Sequence, residues 1–279
     1  MRLPDWISAD PLKGVRDVKK LLRQYGLSTV CEEARCPNQG RCFSKKTATF
    51  LILGDRCTRQ CSFCAVTSGL PSPPDPEEAN RVALAAKSLE LRYVVVTSVT
   101  RDDLPDGGAS YFADTILSIR QAVEGVKVEV LVPDFQGQQS AVESVVKAQP
   151  DVFNHNVETV PRLYQSVRPQ ADYRRSLEVL RAAKEIDNRL TTKSGIMVGL
   201  GEQYEEVLEV MDGLINVHCD IVTIGQYLRP GRRNIAVAEY IKPETFEKYR
   251  AAGLQMGFKN VAASPLVRSS MDAEEISHV

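Results

Sequence analysis

Residues 57–64 read "CTRQCSFC", three cysteines with three and two residues between them, just after the apolar run "TATFLILG". Thiolates this close together wrap a soft metal ion or a cluster. A closed zinc site takes four tetrahedral ligands, whereas this loop offers three with no fourth cysteine or histidine nearby. A cubane 4Fe-4S cluster accepts three thiolates and leaves one iron open to another ligand. Upstream, "CEEARCPNQGRC" carries Cys31, Cys36 and Cys42, with four and five residues between them, and it also stops at three. Two incomplete triplets imply two clusters rather than one six-cysteine site. Cys219 stands apart from these at the start of a predicted strand, where it reads as a small buried hydrophobe.

The chain of 279 residues opens on "MRLPDWISADPLKG", which holds no apolar core of a secretory signal. Clustered cysteines in such a chain point to metal or redox chemistry rather than disulfides, and the expected location is cytoplasmic. No window approaches the roughly 18 apolar residues that cross a bilayer, so no membrane partner is expected. Against 35 Lys and Arg stand 36 Asp and Glu, a formal charge of -1. No global field therefore draws the protein to nucleic acid, and a charged partner must be recognised locally.

The elements that must position the cysteines follow from hydrophobic period. Short β-branched runs at 47–53, 93–99, 126–132, 151–157, 190–198 and 219–227 alternate with longer segments of helical period. A last helix is predicted over 242–257, followed by the short run "NVAAS". This alternation predicts an α/β protein: a partial or closed parallel (βα) barrel of about six units with an N-terminal cluster-binding extension and a C-terminal extension. A doubly wound open sheet fits the same alternation. The expected divisions are 1–47, 48–242 and 243–279. Asp75, followed by Pro76 and Glu78, reads as a capped helix start.

Parallel α/β folds gather binding residues at the carboxyl ends of their strands. The cysteine loop, "RDD" at 101–103, "NHN" at 154–156 and "GLGE" at 199–202 should therefore converge on one face. Arg101, Asp102 and Asp103, with glycines following, suit the grip of a zwitterion or an ordinary solvated turn. Strand alternation puts Asn154 and Asn156 on one side and His155 on the other. Lys193 is expected to pair with a carboxylate. Arg229, Arg232 and Arg233 form a basic patch, either a contact for an acidic carrier or a solvated loop.

"CTRQCSFC", with aromatic Phe63 before its last cysteine, resembles the Cys-x3-Cys-x2-Cys motif of radical S-adenosylmethionine enzymes. With the upstream triplet and the blocks "TSVTRDDLPDGGA", "VFNHNVETV", "KSGIMVGLGE", "IGQYLRP" and "VRSS", the chain is similar to the lipoyl synthase family from about Cys31 to Ser270. The resemblance implies a sulfurtransferase that binds two 4Fe-4S clusters and S-adenosyl-L-methionine and inserts sulfur at C6 and C8 of a protein-bound octanoyl-lysine. It implies Cys57, Cys61 and Cys64 for radical generation. Cys31, Cys36, Cys42 and Ser270 would hold a sacrificed auxiliary cluster, with Ser269 the alternative to Ser270. The family motif continues Arg-Ser-Ser-Tyr, but here Met271 follows. Thr97, Asn154 and Glu158 are the expected cofactor contacts. His155 receives no catalytic role, because the implied chemistry abstracts hydrogen atoms rather than protons. Implied partners are an octanoylated lipoyl carrier domain or H protein, an electron donor of ferredoxin or flavodoxin type, and a cluster repair protein. The alternatives are another radical enzyme with an auxiliary cluster and a non-enzymatic zinc-binding module.

Overall fold

The computed structural model describes residues 3–8, 15–44 and 49–277. The start of the expected first strand and the expected 47/48 division lie outside the described residues. In chain order the strands are β1 (Ser28–Thr29), β2 (Thr49–Ile52), β3 (Arg56–Cys57), β4 (Thr67–Ser68), β5 (Tyr93–Ser98), β6 (Lys127–Leu131), β7 (Val152–Asn154), β8 (Thr191–Val198), β9 (Ile221–Gln226) and β10 (Asn260–Ser264). Helices α1 (Val15–Gln24), α2 (Val30–Glu33) and α3 (Gln39–Ser44) precede β2. The crossovers and tail carry α4 (Glu78–Ser88), α5 (Ala109–Ala122), α6 (Gln139–Lys147), α7 (Tyr164–Val167), α8 (Tyr173–Ile186), α9 (Tyr204–Ile215), α10 (Pro243–Met256) and α11 (Ala273–Ser277).

The main sheet runs β1-β2-β5-β6-β7-β8-β9-β10. Only β1 pairs antiparallel; from β2 onward each strand of this sheet lies parallel to the next one in the order, which follows the sequence apart from β3 and β4. A doubly wound sheet would reverse its strand order at a switch point, and this one does not. Among the described residues β1 and β10 remain edges, so the barrel is partial.

Alternation along the strands explains the layering. Val94, Val96, Val128 and Val130 point outward and pack with Val82, Phe112, Ile116 and Val142 of the surrounding helices. Inward-facing Tyr93, Glu129 and Lys193 make a polar layer: Lys193 lies 3.0 Å from Glu129, and the Tyr93 hydroxyl donates to the same carboxylate at 2.7 Å. The expected carboxylate partner of Lys193 is thus Glu129. After edge strand β10 the tail returns to set Ala273 against Tyr93 and Val95, bridging the open side.

Asp75 does not cap α4 as expected: the N-cap position is Glu77, without a side-chain cap bond, and Asp75 accepts from the Glu77 N–H in the turn just before it. Glu78 turns instead to the Leu53 N–H at 2.7 Å, tying the helix to the end of β2.

Candidate active site

The cysteine loop leaves the carboxyl end of β2 and is pinned at both ends. Strands β3 and β4 form a separate ribbon, and the Gly69 N–H donates to the Cys57 carbonyl at 3.0 Å. Within the loop, Arg59 is 5% exposed and enclosed by carboxylates. Its Nε and Nη2 donate to Asp102 at 2.7 and 2.8 Å, while Nη1 and Nη2 donate to Asp134 at 3.0 and 2.6 Å. Arg175 adds a third guanidinium contact, 2.8 Å from Asp134. Burial alone would raise the Asp134 pKa, but the hydrogen bonds and charge of Arg59, with His155 and Arg175 adding, hold it well below the usual carboxylate range. The loop is therefore clamped from the β5–α5 and β6–α6 connections at once.

Both cysteine triplets line one cavity of about 410 Å³ at the carboxyl ends of the strands, together with Arg268, Ser269 and Ser270. The six cysteines are free thiols. Burial pushes Cys31 and Cys64 up to about 12 and Cys61 up to about 11, with neighbouring thiols adding to the shift. Thiols so held become thiolates only when cations enter beside them. Among the described residues no three His, Cys, Asp or Glu side chains converge as a single-ion site. A cubane puts each thiolate on a different iron, so its ligands stand further apart than those of a single ion, and both triplets border one cavity.

Two strand glycines let the tail reach that space. A Cβ on Gly195 would stand 2.6 Å from Ser269 Oγ and 2.8 Å from Asn156 Oδ1. One on Gly225 would collide with the Val267 carbonyl. Ser269 donates to Asn156 Oδ1 at 2.9 Å, whereas Ser270 lines the cavity with no hydrogen-bond partner among the described residues. The N-terminal segment closes over the tail: Asn38 donates to the Leu266 carbonyl at 2.7 Å and to the Met271 sulfur at 3.0 Å.

Thr97 and Glu158 both line the cavity. Thr97 donates its hydroxyl proton to the Leu131 carbonyl at 2.8 Å, leaving acceptor lone pairs for a ligand N–H. Glu158 sits at φ 65, its N–H on Gly195 and its carbonyl on Met197, an uncommon left-handed placement for this residue type. Burial raises its carboxyl pKa, opposed by Arg168 and the Asn156 amide.

Asn154 departs from expectation. Strand β7 ends at this residue, so alternation fails beyond it: His155 and Asn156 both line the cavity and Asn154 does not. Its amide donates instead to Glu129 at 3.1 Å, joining the polar layer one step down the barrel.

"RDD" also differs from a zwitterion grip. Arg101 is spent on Asp103 and the Leu53 carbonyl, and Asp102 on Arg59. Cys219 is 3% exposed, as expected of a buried hydrophobe.

Residues given no catalytic or binding role from sequence complete the wall. His155 donates from Nδ1 to the Val132 carbonyl at 2.8 Å, and its Nε2 has no partner among the described residues. Burial and nearby Arg168 lower its pKa to about 4, so the ring is neutral at pH 7. Arg168 donates to the carbonyls of Asn156 and Val157, with its Nε and the Ser98 hydroxyl left unpartnered. Arg59 lay within the quoted motif and could have been found there; nothing in "SVRPQ" marks Arg168.

Residues 51–214 match the model of the radical SAM superfamily. Lipoyl synthase from Caldanaerobacter subterraneus subsp. tengcongensis is 57% identical over 275 residues, covering 98% of this chain and 96% of that one. Lipoyl synthase from Caldicellulosiruptor saccharolyticus is 56% identical over 278 residues, 99% and 98% of the two chains. Among solved structures, Streptococcus suis SuiB bound to S-adenosylmethionine superposes with TM-score 0.61 at 14% identity, over 81% of this chain and 54% of that one. Methylornithine synthase (PylB) gives TM-score 0.59 at 16% identity, over 91% and 75%. These two likenesses show the α/β fold, while the full-length identities above 50% show the family. With its two triplets bordering one cavity, the chain belongs to the lipoyl synthase family of radical SAM enzymes.

Proposed function

We propose that this chain inserts two sulfur atoms, at C6 and C8, into an octanoyl chain borne on the lysine of a lipoyl carrier domain or H protein. Support comes from one observation above all: both cysteine triplets and the tail serines border a single cavity, so a radical source and a sulfur store can share one acyl chain. When bound, two 4Fe-4S clusters and S-adenosylmethionine supply a low-potential electron, a primary carbon radical able to take hydrogen from unactivated C–H bonds, and sulfide.

The chain's own residues then hold, orient and exclude water. Cys57, Cys61 and Cys64 would ligate the radical-generating cluster; Cys31, Cys36, Cys42 and Ser270 would ligate the auxiliary one, an alkoxide being the harder and more readily released ligand. Thr97 would accept from the methionine amino group and Glu158 from the ribose hydroxyls. Asn154 is not retained as a contact, since it does not line the cavity and its amide nitrogen donates to Glu129. Leu51, Leu131, Val99 and Ile196 supply apolar wall for the acyl chain. Segment 1–47 would carry the auxiliary cluster, 48–242 the radical barrel, and 243–279 the closing tail. An electron donor of ferredoxin or flavodoxin type and a cluster repair protein complete the cycle in the cytoplasm, with about one turnover per auxiliary cluster. No helix among the described residues is long and apolar enough to cross a membrane.

The test joins composition to product. Anaerobically reconstituted protein should hold about eight irons, four per cubane, and convert an octanoyl-lysyl peptide to lipoyl product in a single turnover. Cys61→Ala should abolish S-adenosylmethionine cleavage; Cys36→Ala should keep cleavage and lose sulfur insertion. Insertion surviving in both variants would overturn the two-cluster assignment.

A further inference from the structure

Beside the cavity mouth lies a group of arginines that the sulfur chemistry does not use. Arg35 and Arg229 stand at its edge with Pro230, and Arg232 and Arg233 follow in the same loop. All four are exposed, and among the described residues none pairs with a carboxylate. Some exposed arginines elsewhere do pair, Arg162 2.8 Å from Glu206 and Arg120 2.9 Å from Asp151, while among the described residues Arg23, Arg92 and Arg174 do not; these four are set apart by standing together at the cavity mouth.

The loop is built rather than floppy. Arg229 donates to the carbonyls of Arg232 and Asn234, folding the turn on itself. Asn234 donates to the Cys64 carbonyl at 2.7 Å, and the Ile235 N–H to Ser62 at 3.0 Å, so the turn is tied to one cysteine loop. From the other cysteine segment, Arg35 donates to the Pro230 carbonyl at 3.2 Å, its backbone held at φ 52. A Cβ on Gly231 would meet the Arg35 guanidinium at 3.6 Å, which places that charge directly over the turn.

We propose that Arg35, Arg229, Arg232 and Arg233 form a docking rim for an acidic protein surface surrounding the acylated lysine. The occupant rests on the sulfur-insertion reading, which requires a lysine on a folded carrier to project its acyl chain through this mouth. The chain's net charge of -1 offers no general attraction for such a surface, so the attraction is local. Four guanidinium groups without a carboxylate partner, on a turn tied to one cysteine loop and spanned by Arg35 from the other cysteine segment, would orient the carrier toward the shared cavity. Rim charges of this kind govern encounter rate and salt dependence more than chemistry at the centre.

The test uses the reconstituted full chain carrying Arg232→Gln and Arg233→Gln, neither of which borders the cavity. Its binding to an octanoylated carrier domain with an acidic face around the lysine is read by fluorescence anisotropy across a salt series. The double variant should bind roughly tenfold more weakly at low salt, with a flatter salt dependence, and should thiolate an uncharged octanoyl-lysyl peptide as wild type does. Neutralising the carrier's acidic residues should give the same loss, with little further loss on combination. Unchanged carrier affinity and salt dependence in the variant would overturn the rim. So would an equal loss on the short peptide. Carrier binding that depends on the arginines, with no thiolated product from wild type, would leave the rim standing and remove the sulfur-insertion reading instead.

Discussion

Met271 stands where the family motif carries tyrosine, and the fold keeps it inside: it is 9% exposed and its sulfur accepts from Asn38. A flexible thioether fills the aromatic's place while the two preceding serines still reach the cavity. Their hydroxyls differ, since Ser269 is committed to Asn156 and Ser270 is not. Ser270→Ala should reconstitute with about one cluster's worth of iron readily lost to chelator, while Ser269→Ala keeps its iron and loses about 1 kcal/mol of stability. Iron loss confined to Ser269→Ala would transfer the ligand role. Asp134 is the other decisive residue, a fully buried carboxylate between two guanidinium groups. Asp134→Asn strands part of that charge and should cost about 3 kcal/mol in urea unfolding of the metal-free chain. It should also lower iron retention by the Cys57 loop; wild-type stability and retention would show that Arg59 needs no clamp.

At the scale of elements, the strand runs were legible because buried parallel strands are written as β-branched stretches. Their ends were less so, and β7 shows the consequence: stopping at Asn154, it turns His155 and Asn156 together into the cavity. The glycines of β8 and β9 carry no strand propensity, yet they decide whether the tail can lie on the barrel mouth. Gly225→Ala should displace Val267 and its neighbours, destabilise the chain by about 1–3 kcal/mol and weaken auxiliary-cluster retention. Retention equal to wild type after this change would mean that the tail supplies no ligand. Lower in the barrel, Lys193 and Glu129 are both fully buried. Lys193→Met should cost about 3–5 kcal/mol by leaving Glu129 unpaired, and adding Glu129→Leu should restore much of it, measured by thermal unfolding.

For the whole molecule, acid is the informative stress. Burial lowers the His155 pKa from 6.5 to about 4. Between those values the unfolded chain takes up a proton that the folded ring refuses, so the His155 contribution to stability falls as pH drops from 6.5 toward 4. The full effect is at most about 3 kcal/mol. His155→Gln should flatten that part of the stability curve, and an unchanged slope would assign the acid sensitivity elsewhere.

The sequence by itself determined the cysteine spacings, the βα alternation and the family blocks, because those depend on short-range order along the chain. Which alternation-compatible sheet forms, and how its open side is bridged, was decided by tertiary structure through the unreversed strand order and the returning tail. So was the meeting of residues 31–42, 57–64 and 268–270 at one cavity. The clamp on Arg59 likewise joins carboxylates 43 and 75 residues away. Such contacts leave no local periodicity, since burial of charge is satisfied by whichever partner the folded barrel brings within reach.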